Sequence, residues 1–356
     1  MTEYDEIAAL RRLDRQDMLG HVARLPLQCR DAWERVRSFA LPSSHRDISG
    51  VLVAAMGGSA IGGDLAAAAV AHECRVPILV HRDYGLPAYA DAHTLVIACS
   101  YSGETEETLS AFEAAHRQGC PLVAVTAGGT LARLAGEWGV PVLPVHYRSQ
   151  PRAALGYLLV TMLGILRAAG VVGDIAPGLD EALALLEAQA ESLAPETPHA
   201  LNPAKQIAAS MAGCVPVIVG AGPLAPVARR WKGQVNENCK GWAYFEVLPE
   251  LDHNALAGVH NPAQAARWIR ALFLHASQPS AVSSRTDRRI ELTRQLFERY
   301  GIACRDVPVP GESALAQILS AVQLGDYVSC YLAFLYGANP TELDDVVWFK
   351  QQMAQG

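Results

Sequence analysis

The sequence predicts an α/β protein of two doubly wound parallel-sheet domains related by internal duplication, and three observations carry that expectation. At 356 residues the chain holds about two domains of roughly 150 residues each. Short apolar runs that stop at glycine or at a serine-containing loop alternate with stretches of helical composition, the pattern of buried parallel strands joined by crossover helices. The order of these segments then restarts beyond residue 200, which divides the chain into 1–195, with N-terminal helices, and 196–356, with a C-terminal helix.

Two helical segments, about 4–18 and 20–38, come first. Val51-Leu-Val-Ala-Ala-Met56 is an unbroken apolar run ending at Gly57-Gly58-Ser59, and it reads as the first strand. Four more short runs follow at 77–80, 94–99, 121–126 and 140–144, and the gaps between the first four strands have helical composition. Helical stretches at about 152–170 and 178–192 lead into Leu193-Ala-Pro-Glu-Thr-Pro198, the best linker in the chain. Val215-Pro-Val-Ile-Val219 then runs into Gly220-Ala-Gly222 and a helix through Arg229 and Arg230. Finally Ala271-Leu-Phe-Leu274, a serine-rich loop, a helix at about 286–300 and the strand Cys304 to Val309 repeat the Thr94 to Thr126 unit with a longer loop.

Composition narrows the function classes. Basic residues number 29 against 36 acidic ones, a net charge of −7, and they are scattered, which speaks against a nucleic-acid or anionic-membrane surface. Any anionic ligand must therefore be held by a local site. The eight cysteines form no CxxC pair and several sit in apolar runs, so they read as reduced thiols of a cytoplasmic protein and not as a disulfide frame or zinc site. The acidic N-terminus has no apolar signal core, and no unbroken apolar run reaches the roughly 18 residues of a membrane span, so neither export nor membrane insertion is expected.

Ser100-Tyr101-Ser102-Gly103-Glu104-Thr105 falls where the strand ending at Cys99 meets a helix, the end of a parallel sheet at which open α/β folds bind ligands. A helix N-terminus carries about half a positive charge and up to four unpaired N–H donors, which suits a phosphate. Taken alone, Ser102 can also be read as an ordinary helix cap with acidic residues in the first turn. Gly58 and Ser59 form a second such loop, where missing side chains let a ligand approach the backbone. Neither loop carries the Gly-Lys-Ser/Thr of a Walker motif or strict GxGxxG spacing, which speaks against a nucleotide cofactor.

Four further residues have chemistry to offer. Glu237, in Asn236-Glu-Asn238, is flanked by amides that can bond ligand or backbone and leave the carboxylate free; alone it reads as a surface glutamate. His253 sits in a polar break, Pro249-Glu-Leu-Asp-His-Asn254, and an imidazole titrates near neutrality; the alternative is a loop histidine bonded to Asp252. Glu250, Asp252, His253 and His260 are ligand-type residues, but without HxH or HExxH spacing no metal is expected. Arg152 follows Pro151 at a helix entry, where the dipole disfavours a cation, so an anion is expected beside it. Lys350 lies in an apolar and acidic C-terminal helix and reads either as functional or as a snorkelling surface lysine.

The ordered motifs MGGSAIGG (56–63), SYSGETEETL (100–109), QPRAALGYL (150–158), NENCK (236–240) and PELDHN (249–254) resemble those of the bifunctional phosphoglucose/phosphomannose isomerases, which have two sugar isomerase (SIS) domains. Asp252, Glu104 and Ala127 stand where that family more often has Asn, Asn and Ser. The resemblance implies an aldose–ketose isomerase of carbohydrate metabolism, in glycolysis and gluconeogenesis, acting on glucose 6-phosphate and mannose 6-phosphate without a cofactor. It implies Glu237 as the base, Arg152 as stabiliser of the enediolate, His253 in ring opening, and Lys350 either in ring opening or in stabilising the enediolate charge. Gly58, Ser59, Ser100, Ser102 and Thr105 are implied to hold the phosphate. It further implies a homodimer in which His253 reaches the partner's active site. Two alternatives stay open: a SIS-domain sugar-phosphate sensor, and an enzyme for another sugar phosphate.

Overall fold

The computed structural model describes residues 7–42, 45, 47–277 and 283–353. Three helices open the chain, α1 (Ile7–Leu13), α2 (Met18–Ala23) and α3 (Leu25–Val36), where two were expected. The extra break has a local cause. The Asp14 carboxylate accepts hydrogen bonds from the Met18 and Leu19 amides at 2.7 and 2.9 Å, which starts α2, and Pro26 restarts the chain as α3.

Strands β1 (Gly50–Ala55), β2 (Ile78–His81), β3 (Thr94–Cys99), β4 (Leu122–Thr126) and β5 (Val142–Pro144) form one parallel sheet in the order β2-β1-β3-β4-β5. Strands β6 (Val215–Ala221), β7 (Tyr244–Leu248), β8 (Ile269–Ala276) and β9 (Ala303–Val309) form a second, in the order β7-β6-β8-β9. The second repeats the first without its fifth strand, as a duplication requires. The sequence reading missed β7, whose residues Tyr-Phe-Glu-Val-Leu are half-exposed at a sheet edge and lack the unbroken apolar run of a central strand. The serine-rich loop after β8 falls largely on residues 278–282, outside the described residues.

Helices α4 (Gly57–Ala69), α5 (Glu106–Gln118) and α6 (Gly129–Glu137) alternate with the strands of the first sheet. Alternate side chains of β1 enter different cores: Val51, Val53 and Ala55 face the large central cluster, Leu52 and Ala54 the smaller one formed with Phe112 of α5. In β8, Leu272 and Leu274 join the same central cluster while Ala271 and Phe273 turn to the opposite face. The two sheets thus share one core, filled by α7 (Leu155–Ala168) and by a 22-residue helix that the sequence reading did not find, α12 (Ala314–Leu335).

By length and hydropathy α12 is long enough to cross a membrane, although Gln317, Gln323 and Asp326 interrupt its apolar run. Its most apolar 18-residue window is 83% buried within the protein, so it is a core helix. Helices α8 (Ala176–Leu193) and α9 (Pro203–Met211) flank it. Between them the expected linker is stapled down: the buried Lys205 ammonium donates to the Pro195 and Thr197 carbonyls at 2.8 and 2.9 Å, and the Tyr331 hydroxyl to that of Leu193 at 2.6 Å. All eight cysteines are free thiols. Burial pushes Cys29 and Cys99 up to about 12. The remaining helices are α10 (Ala225–Cys239), α11 (Ser283–Arg299) and α13 (Asp344–Met353).

Candidate active site

The strand order of the first sheet switches between β1 and β3, which pair in register from Gly50↔Thr94 to Ala55↔Cys99. Loops leaving two such strands diverge and open a crevice at the strand ends. Gly58 and Ser59, in the first turn of α4, line one side, with Ser59 buried. The 100–105 loop lines the other. Ser100 is buried, and its hydroxyl pairs with the Thr105 hydroxyl at 2.9 Å and accepts from the Gly103 amide at 3.1 Å.

The loop does not cap its helix. Thr105 occupies the N-cap position of α5 with its hydroxyl turned to Ser100, and Ser102 accepts from the Glu104 amide at 3.2 Å, so no side chain occupies the helix end. Nor does Glu104 crowd it, since its carboxylate accepts from the Thr130 amide at 2.8 Å, at the start of α6. Gly103 has φ of 73° and lies against Gly128, a place for no other residue. The sequence reading overlooked Tyr101. Its hydroxyl donates to the Tyr147 carbonyl and accepts from the Ser149 amide at 3.0 Å, tying the loop to the segment that carries Arg152.

Arg152 departs from expectation in one respect: it lies in a 3-10 turn, Pro151–Ala153, ahead of α7, because Pro151 suits a tight turn and the α-helix begins only at Leu155. The helix dipole therefore does not set its surroundings; a polar cage does. Arg152 is 3% exposed. Its Nε donates to Asn238 Oδ1 at 2.7 Å and its Nη2 to the Pro340 and Thr341 carbonyls at 2.8 and 3.0 Å. Nη1 faces Glu237 Oε2 at 3.4 Å, the anionic neighbour the sequence called for. Of the five guanidinium donors, one on Nη1 remains for a ligand. Burial pulls Arg152 below its ordinary value, and the Glu237 charge opposes that shift.

Glu237 projects from α10 with its side chain 38% exposed, while its neighbours are spent on structure. Asn236 donates to the Gly241 carbonyl at 2.7 Å and Asn238 to the Ser329 hydroxyl at 2.9 Å. The same helix face carries Arg230 and Gln234, both bonded to the buried Asp326, and no sequence motif flagged these three residues. Asp326 was legible as the only charge in the apolar α12. Burial pushes its carboxyl up against the pull of Arg230.

The structure links Gly58, with Ser59 beside it, to the Arg152 backbone, Arg152 to Glu237, and the 100–105 loop through Tyr101 to the segment that leads into Arg152. His253 and Lys350 are not among them. His253 is exposed at the end of a 3-10 turn, Glu250–His253, that is anchored by the buried Leu251, and it makes no side-chain hydrogen bond among the described residues. Its neighbour Asp252 binds Arg289 at 2.6 Å and Thr293 at 2.9 Å, not the imidazole. Lys350 lies on α13, which has no buried residue. A cleft of about 680 Å³ separates the start of α13 from Lys232 and Asn236 on α10 and from Lys240 just beyond its end.

Residues 200–353 match the family described as the bacterial phospho-glucose isomerase C-terminal SIS domain. A bifunctional phosphoglucose/phosphomannose isomerase from Caldicellulosiruptor bescii is 37% identical over 339 residues, 95% of this chain and 99% of that protein. The chain belongs to the bifunctional phosphoglucose/phosphomannose isomerase family. A relative of the same name from Aquifex aeolicus is 34% identical over 90% of this chain and 94% of its own. Among solved structures, a glucose-6-phosphate isomerase like protein from Thermus thermophilus shares the fold, with a TM-score of 0.60, 19% identity and coverage of 96% and 99%. In this member of the bifunctional isomerase family, α10 packs against α4, the helix whose first turn carries Gly58 and Ser59.

Proposed function

We propose that the protein interconverts glucose 6-phosphate and mannose 6-phosphate with fructose 6-phosphate through an enediol. The observation that carries this reading is the pairing of a half-exposed carboxylate, Glu237, with the buried Arg152 cation beside an uncapped helix N-terminus. The Ser59 and 100–105 loops hold the phosphate through hydroxyls and N–H groups. Glu237 moves the proton between C2 and C1, and the remaining Arg152 donor meets the negative charge that develops on the enediolate oxygens. The two aldoses differ only at C2 and lose the C2 proton to the same enediol, so one base serves both. The reaction is redox-neutral within one molecule and needs no electron acceptor.

Ring opening falls to His253 and Lys350 in this reading, with His253 delivered by a second copy of the chain. The exposed His253 and the exposed Val346, Val347, Trp348, Phe349 and Met353 of α13 support a homodimer. The free thiols support a cytoplasmic setting, and the division at 195/196 assigns one sheet to each SIS unit. The test is fructose 6-phosphate formation from each aldose phosphate by purified protein in excess EDTA. Turnover of both supports the reading, turnover of one restricts it, and turnover of neither by folded protein favours a sugar-phosphate sensor.

A further inference from the structure

Asp326 is an expensive residue to keep. It is the only charge in α12, its side chain is 7% exposed, and that of its partner Arg230 is 2% exposed. Replacing such a buried pair with apolar residues is often neutral or stabilising, so a stability role explains it poorly. Its connections explain it better. Arg230 grips Asp326 with two donors, Nε to Oδ1 at 3.1 Å and Nη2 to Oδ2 at 2.6 Å, and Gln234 adds a third at 2.8 Å. The same Nη2 also donates to the main-chain carbonyl of Arg152 at 3.0 Å.

One turn along α12, the Ser329 hydroxyl donates to the Asp326 carbonyl at 2.8 Å and accepts from Asn238, whose other side receives Arg152 Nε. Thus Arg230, Gln234 and Asn238, one face of α10 at four-residue spacing, are held from behind by Asp326 and Ser329, and Arg230 and Asn238 hold Arg152 in front. Close approach of the two helices is arranged at Gly325, where a β-carbon would collide with the Trp231 ring. Arg152 needs this support. It sits in a single 3-10 turn, and its outward donor must meet a charge that exists only in the transition state.

We propose that Asp326 and Arg230 are a positioning pair for the isomerisation: by gripping the Arg152 carbonyl they hold the turn, and with it the guanidinium, in register with Glu237. The proposal rests on the role given to Arg152 above. A misplacement of about 1 Å at a reacting centre costs about 10²-fold in rate, which sets the scale.

Two variants test it, Arg230→Lys, which keeps a cation beside Asp326 but loses the two-point guanidinium grip that fixes Nη2 between Asp326 and the Arg152 carbonyl, and the double variant Arg230→Met with Asp326→Leu, which removes the pair. Both are compared with wild type and Arg152→Lys for kcat, KM, and binding of two probes. 5-Phosphoarabinonate carries a carboxylate in place of the enediolate; glucitol 6-phosphate has the phosphate and no such charge. We expect each folded variant to lose about 10- to 100-fold in kcat and in 5-phosphoarabinonate affinity, with KM and glucitol 6-phosphate affinity within about threefold. Should a folded variant keep kcat within threefold, or lose affinity for both probes equally, the pair is structural only. If the double variant fails to fold, Arg230→Lys decides alone. Retained activity in Arg152→Lys overturns the role of Arg152 itself, a separate failure.

Discussion

Gly58 and Arg152 meet backbone to backbone: a β-carbon on Gly58 would stand 2.9 Å from the Arg152 nitrogen and 3.1 Å from its Cα. The first turn of α4 and the turn carrying the guanidinium are therefore registered to each other without an intervening side chain. Gly58→Ala is expected to push the turn outward and lower kcat by about tenfold or more, on the same misplacement scale. Steady-state kinetics check it, and a kcat within threefold of wild type would show that the turn tolerates the shift.

Glu237→Gln keeps the size and the contact to Arg152 Nη1 but removes the basic lone pair. The expected outcome is a fall in kcat of about 10²-fold or more with 5-phosphoarabinonate still bound, as for removal of a general base. Loss of less than about threefold would take Glu237 out of the mechanism.

Removing both Ser102 and Thr105 hydroxyls acts on binding. Phosphate is held alike in ground and transition states, so Ser102→Ala with Thr105→Ala is expected to raise KM about tenfold and leave kcat within about threefold. Thr105→Ala also frees the Ser100 hydroxyl from its partner. An unchanged KM in the double variant would move the phosphate to another site.

His21 predicts a pH dependence of stability. Its Nδ1 lies 2.6 Å from the Tyr147 hydroxyl, and burial, reinforced by Arg24, lowers its pKa from the ordinary 6.5. The folded state thus binds this proton less readily than the unfolded chain. The histidine's contribution is complete above about pH 6.5 and is lost as pH falls from there through the lowered value. Thermal unfolding at pH 7.5 and 5.5 should show a smaller acid-induced drop in Tm for His21→Gln than for wild type. Equal drops would place the acid sensitivity elsewhere.

The parts of this molecule legible in its sequence are those whose physics is local. Val51 to Ala55 and Thr94 to Cys99 announce themselves as buried strands because both faces are covered, and each ends in a loop whose small and hydroxylated residues mark the crevice. What stayed hidden depends on contacts between distant segments. Edge strand β7 is half-exposed, and α12 carries Gln323 and Asp326 in a core helix because their partners come from α8 and α10. The Arg152 cage joins residues 85 to 189 positions away, beyond any periodicity or motif. The roles of His253 and Lys350 came only through the resemblance, and within one chain neither side chain joins the cage.

The first sheet is complete by Pro144 and Arg152 follows at once, yet the carbonyls that hold its Nη2 belong to Pro340 and Thr341. On a ribosome, which releases a chain from its N-terminus, the first strands emerge long before the guanidinium can be caged, and the core they share with α12 also waits for residues 314–335. The cage around Arg152 is therefore completed only after residues 340 and 341 have been translated.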